Sequence, residues 1–289
     1  MVTTVILYHG NCLDGTGAKY AAWKKFGDKA TYIPVMYGKN SVPKEVEDSE
    51  GLEVFILDFS YPKDILLSLR AKHKSVVVID HHKTAEADLT GMPGCVFDMT
   101  KSGAVLAWEY FHGRKRIPSI LLHVQDRDLW EWRLTNTKEL TTGLSTLNGD
   151  MVLWDKTTLL DLVKVGETLC TYIDTKVDSA TKPDRVRKVK VSFKGKSYTI
   201  GILNTTGYVS EISQAMYTKD KTLDFTITYF IEVTGEVILS FRSDSTVESS
   251  TDVSEIAKAF GGGGHRNAAG GRTSLPMLEK ILNGNYKLG

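Results

Sequence analysis

The sequence predicts an α/β protein with two domains. An N-terminal parallel sheet with helices on both faces is followed by a smaller α+β domain. Three observations carry this. Apolar strands alternate with helical segments through the first half, which implies parallel pairing with right-handed crossovers. A polar stretch with Pro183 interrupts the chain, and beyond it short alternating strands replace the earlier pattern. The 289 residues also exceed one typical domain. The expected boundaries are 1–180 for the first domain, 181–188 for a linker and 189–289 for the second.

Composition narrows the function classes. Hydrophobic content of 42% and charged content of 25% are those of a globular protein. A net charge of +1 argues against general affinity for long duplex nucleic acid, which needs a broad basic surface. Cys12, Cys95 and Cys170 show no metal-type pairing and fit a reduced cytoplasm. The start lacks the pattern of a signal peptide, and no apolar run approaches the roughly 18 residues of a membrane span.

The first strand is expected over 2–8. It ends in His9-Gly10-Asn11-Cys12-Leu13-Asp14-Gly15-Thr16-Gly17, before a helix over 18–26. Converging backbone N–H groups make such a turn a site for an anion or a metal. It is neither a Walker loop nor a dinucleotide fingerprint. Strands over 31–37 and 52–57 follow, the latter ending in Asp58. A helix over 65–72 precedes the strand 75–79, whose apolar run reads as buried on both faces. That strand delivers Asp80, His81 and His82 to the carboxyl edge, where open α/β sheets bind ligands. Three decorated strand ends together resemble a constructed polar cluster and point to metal chemistry. Ser102 is expected to cap a helix over 103–111, and Pro118 to open the next. That helix runs into Asp126, Asp128, Trp130 and Trp132, which read either as a solvated face beside an aromatic core or as a carboxylate and a wall for the site. Helices over 137–147 and 159–175 complete the first domain.

The second domain is expected to have strands over 189–193, 197–203, 223–232 and 236–242, with helices over 212–216 and 253–260. Its informative motif is Gly261-Gly262-Gly263-Gly264-His265-Arg266-Asn267-Ala268-Ala269-Gly270-Gly271. Successive glycines cost backbone entropy and make sense where the main chain must come very close to something. The His265-Arg266 pair suggests an anion, with Arg forking onto phosphate oxygens. Arg242 is a candidate for the same clamp, and an exposed tether is the plainer alternative.

Both motifs, in this order and separated by a helical middle, resemble the DHH phosphoesterase family with its DHH-associated C-terminal domain. The resemblance covers nearly the whole chain and is strongest to the nano-RNase branch. It implies two divalent metals in a cleft between the domains, with manganese first and magnesium or cobalt as alternatives. It implies His9, Asp14, Asp58, His81 and Asp126 as ligands, with Asp58 shared. Asp80 would orient a histidine, and His82 would face the substrate. His265 and Arg266 would reach the phosphate, with Gly262, Gly263, Gly264, Asn267 and Arg242 in the substrate-binding set. One departure stands out: Cys12 holds the earlier position of a usual aspartate pair, so Cys12 or Asn11 is the candidate replacement ligand. Asn offers a neutral carbonyl, and a thiolate softens the site towards zinc or iron.

The implied activity is hydrolysis of very short oligonucleotides to mononucleotides, with His82, Asp80, Arg266 and His265 carrying it. The partners are then an oligonucleotide or dinucleotide, with no membrane and no long duplex, and a homodimer is allowed for. The alternatives are a cyclic-dinucleotide, pApA or pAp phosphohydrolase, with pyrophosphatase last. The non-enzyme alternative is a nucleotide sensor with lapsed catalysis, motivated by the altered turn.

Overall fold

The computed structural model describes residues 3–10, 12–36, 41–284 and, for the backbone, 287–288. Val2, Asn11 and Tyr37, which the sequence reading includes in its first two strands and the turn between strand and helix, lie outside them.

The chain divides into two compact units, 1–170 and 171–289. The division falls inside the helix Leu159–Ala180 rather than at the expected linker, because Val177 of that helix packs with Leu203, Ile212 and Met216 in the second unit's core. Beyond it Thr181 is buried, and the next strand starts at Arg187.

In the first unit, strands β1 (Thr4–His9), β2 (Ala30–Val35), β3 (Glu53–Leu57), β4 (Ser75–Asp80) and β5 (Cys95–Phe97) form one parallel sheet, in the order β2-β1-β3-β4-β5. Side chains alternate between its faces. Ile6, Leu57 and Ile79 join one core with the helices Leu13–Phe26, Gly103–His112 and Ser119–Asp128. Val5, Leu7, Val54, Ile56, Val76 and Val78 join another, with Leu66 and Leu69 of the helix Lys63–Lys72. Covering on both faces is why these strands read as continuous apolar runs.

Register then places the polar ends. Tyr8 pairs with Leu57, and Leu57 with Ile79. The next residue of each strand is His9, Asp58 and Asp80, so all three emerge at one carboxyl edge.

The second unit holds a seven-stranded mixed sheet. Its strands are β6 (Arg187–Phe193), β7 (Lys196–Asn204), β8 (Phe225–Ile231), β9 (Val237–Arg242), β10 (Gly263–Gly264), β11 (Ala268–Thr273) and β12 (Lys287–Leu288). Their order is β10-β11-β9-β8-β7-β6-β12. Ile200, Ile202, Phe225, Leu239 and Phe241 pack against the helices Val253–Lys258 and Leu275–Leu282. Among the described residues, no helix is long and apolar enough to cross a membrane.

Candidate metal centre

The centre is built from the strand ends inward. His81 lies just beyond β4 and is buried. Its Nε2 sits 3.1 Å from Asp58 Oδ1, 3.3 Å from Asp14 Oδ2 and 3.6 Å from Asp128 Oδ2. On the other side of the Asp58 carboxylate, Oδ2 is 3.2 Å from His9 Nδ1. One ligand atom each from Asp14, Asp58 and His81 falls within 4.8 Å of the others, and the same holds for His9, Cys12 and Asp58. Asp58 belongs to both trios. It adopts a left-handed backbone (φ 61°), which Asp tolerates better than most residues.

The helix Gly103–His112 closes the cluster from the opposite side. Ser102 caps it as expected, its hydroxyl accepting from the Val105 N–H. Two of the helix's first N–H groups instead serve Asp14: Gly103 donates to Oδ2 at 2.6 Å and Ala104 to Oδ1 at 3.0 Å. A carboxylate satisfies the orphan donors and positive end of a helix N-terminus. Gly103 must be glycine, since a Cβ there would lie 2.7 Å from Asp58 Cβ and 2.9 Å from Asp14 Oδ2. Gly15 is constrained similarly, its missing Cβ falling 2.2 Å from the His9 carbonyl.

Electrostatics shows a cluster short of positive charge. Burial and the neighbouring Asp58 push the Asp14 carboxyl up, with His81 opposing. Burial works on Asp58 in the same direction, but hydrogen bonds from His81 and His9 hold it well below the usual carboxylate range. Asp128, whose side chain is 24% exposed, is pushed up to about 7 by burial and by Asp14 and Asp58. His81 resists burial, and the surrounding acids raise it to about 12. Burial, then Asp58, Asp128 and Asp14, push the Cys12 thiol well up. Protons thus occupy positions where a cation would be welcome. The oxygen and imidazole donors fit a hard or borderline divalent ion.

Asp80 plays a different part. Fully buried, it accepts from the His81 and His82 N–H groups, from Ser60 Oγ at 2.7 Å and from His82 Nδ1 at 2.6 Å. This fixes the His82 ring with Nδ1 inward. Burial disfavours a charged His82, yet Asp80 outweighs it and the pKa rises.

Asp126, the expected ligand from the helix Ser119–Asp128, is not in the cluster. Its carboxylate accepts from Arg133 N–H, Leu134 N–H and Thr137 Oγ1, at 2.7, 3.1 and 2.6 Å. It organises the loop that follows, and these bonds hold its carboxyl below the usual range despite burial. Asp128 occupies the place expected of Asp126. Residues two apart on a helix face different ways, and Asp128 falls on the helix face that carries the core residues Leu121 and Val124. That face is the signal the sequence reading passed over. The loop turns through Trp130 and Trp132, both left-handed (φ 59° and 54°), their rings edge-to-face at 4.8 Å. Bulky residues rarely adopt that conformation.

In the second unit, the glycine run meets its own chain. A Cβ on Gly262 would lie 1.9 Å from the Gly270 carbonyl, and one on Gly264 2.6 Å from that of Ala268. Gly263 pairs with Gly270 across β10 and β11. The close approach inferred from the glycines is therefore strand to strand. At the hairpin tip, His265 N–H donates to the Ala268 carbonyl. Arg266 donates from Nη2 to the carbonyls of Ser250 and Glu248, at 2.7 and 3.3 Å. Asn267 donates to the Ser243 and Ser250 hydroxyls, both at 2.8 Å. Arg242 Nη1 donates to the Phe241 carbonyl.

Known proteins sort this architecture. Residues 195–284 match the DHHA1 domain. The chain is 31% identical over 291 residues to the uncharacterized protein R106 of Acanthamoeba polyphaga mimivirus, a match covering 92% of this chain and 66% of that protein. It thus spans about two thirds of that relative's length. The fold is similar to that of RecJ from Thermus thermophilus, solved in complex with Mn2+ (TM-score 0.56, 13% identity, 98% of this chain and 51% of that one). It is also similar to PggH from Vibrio cholerae, a pGpG-specific phosphodiesterase (TM-score 0.51, 15% identity, 97% and 96%). At these identities the two likenesses speak to the fold. Residues 195–284 thus carry a DHHA1 domain, and the fold is similar to those of RecJ and PggH.

Proposed function

We propose that the protein is a divalent-metal-dependent phosphodiesterase that hydrolyses very short oligonucleotides to mononucleotides, as in the nano-RNase branch. The observation that carries this is the convergence of Asp14, Asp58 and Asp128 on His81, with Asp58 shared by a second trio. His9 and Asp58 would hold one cation, and Asp14, Asp58, His81 and Asp128 the other. Such a pair would supply a water of lowered pKa and polarise the phosphoryl oxygens. Asp14, anchored by two amides, and Asp58, anchored by two imidazoles, keep the ligands placed without reorganisation. Asp80 raises the His82 pKa and binds Nδ1–H, so that the imidazolium would offer its Nε2 proton to the leaving ribose oxygen. His265, Arg266, Asn267 and Arg242 are assigned to substrate phosphate, the Arg side chains neutralising charge on its oxygens.

Purified protein with manganese and a 5′-labelled dinucleotide should release mononucleotides. Absence of turnover with manganese, magnesium or cobalt across a substrate panel would remove the proposal. A second reading, specificity for one linear dinucleotide, draws support from the likeness to PggH. A panel of pGpG, pApA, cyclic dinucleotides, pAp and longer oligonucleotides separates the two. Tight binding of a nucleotide that stays intact would instead favour the sensor.

A further inference from the structure

Cys12 occupies the N-cap of the helix Leu13–Phe26, with an extended backbone (φ −122°, ψ 139°), and its side chain makes no capping hydrogen bond. Ser, Thr, Asp or Asn at such a position contributes about 1 kcal/mol over a non-capping residue. The helix therefore starts with a side chain that forgoes that stabilisation. What Cys12 does instead is bring Sγ within 4.8 Å of ligand atoms of His9 and Asp58. The neighbouring trio, Asp14, Asp58 and His81, offers only oxygen and nitrogen, as does Asp128 beside it. The two halves of the centre share one carboxylate and differ in softness.

We propose that the centre is built for two different metals. The His9–Cys12–Asp58 position takes a borderline or soft cation (zinc, iron(II) or cobalt(II)) through a thiolate. The Asp14–Asp58–His81–Asp128 position takes manganese or magnesium. Thiolate selects softer ions, and carboxylate harder ones. A backbone-capping residue at position 12 would leave the first position as hard as the second. This rests on the two-cation reading above and adds which ion goes where.

Cobalt(II) reports the ligand directly. Titrating the metal-free full-length protein with cobalt(II) should give a near-ultraviolet sulfur-to-cobalt charge-transfer band that saturates at one equivalent. Zinc should abolish the band, and an equal concentration of manganese should not. In Cys12→Asp and Cys12→Ser the band should vanish while visible cobalt bands persist, and in Cys12→Asp manganese should bind at both positions. Elemental analysis of protein grown in mixed-metal medium should find one soft and one hard ion per chain, and two hard ions in Cys12→Asp. Two bound cobalt ions without the charge-transfer band in the unaltered protein would overturn this assignment and leave the two-cation reading standing. Failure of the unaltered protein to bind any cobalt, zinc or manganese would overturn both. The unaltered protein alone decides the first question, so a misfolded variant does not blunt the test.

Discussion

The strand-end cluster of the first unit and the glycine hairpin of the second both stand out in the sequence, yet they are held in place by opposite means. At the cluster, buried acids crowd one imidazole, and burial beside Asp14 and Asp58 pushes Asp128 up to about 7 despite His81. At the hairpin, the glycines are used up by packing against Gly270 and Gly271, and Arg266 is engaged with carbonyls of 248–250. Charge left unbalanced by the fold marks a place that awaits a ligand. A sequence motif satisfied by its own chain marks a place that supports one. The difference assigns chemistry to the first region and scaffold to the core of the second.

The sharpest way to break the comparison is to weaken each region in turn. Asp58→Asn should lower kcat/KM on the order of 10³-fold, since it touches both metal trios, with the thermal midpoint little changed. Gly262→Ala should do the reverse and destabilise by about 1–3 kcal/mol or more through overpacking against the Gly270 carbonyl, measured by denaturant unfolding. Equal activity losses with unchanged stability in both variants would erase the distinction.

Within the first unit, Asp126 and Asp128 can be separated. Asp128→Asn should weaken manganese binding by calorimetry, by roughly 10–100-fold in analogy with groups that tune metal sites. Asp126→Asn should instead lower stability by about 1–3 kcal/mol, because the buried Thr137 hydroxyl and the Arg133 and Leu134 N–H groups lose their charged acceptor. Metal binding lost on Asp126→Asn but kept on Asp128→Asn would restore the sequence-based assignment.

Acidity should sharpen the picture further. The Asp128 carboxyl titrates near 7 in the folded, metal-free protein, above its ordinary value of 3.8. Below pH 7 the folded state therefore holds a proton that a cation must displace, and manganese affinity should fall as pH drops from 8 to 6. Without metal the sign reverses for stability. A raised carboxyl pKa favours the folded state at low pH, and that contribution fades as pH rises from about 4 through about 7. Unfolding midpoints with and without manganese should thus diverge as pH rises. The smallest effect is at the helix cap: Ser102→Ala should cost about 1 kcal/mol by thermal unfolding.

Much of the first unit was legible because its strands are long, apolar and end in single polar residues. Residues 75–79 lie within Ser75–Asp80, and Ser102 caps as its position suggested. Asp58 and His81 were visible for the same reason. Asp128 was not, because choosing between two acids on one helix requires knowing which face meets the core. The amides of Gly103 and Ala104 carry no side-chain signature at all. Strand β11 went unread because Ala and Gly are poor strand formers. Its place in the sheet comes from pairing with β9 on one side and β10 on the other.

Gly103 has a consequence for how the centre could change over time. The wall facing Asp14 and Asp58 is a peptide plane at a helix start, with no side chain to trim or extend. Ion size is therefore gauged by a rigid surface that no rotamer can adjust. Drift in metal preference must come through exchange of donors, and the turn at Cys12, beside His9 and Asp58, is the place where such an exchange would be felt.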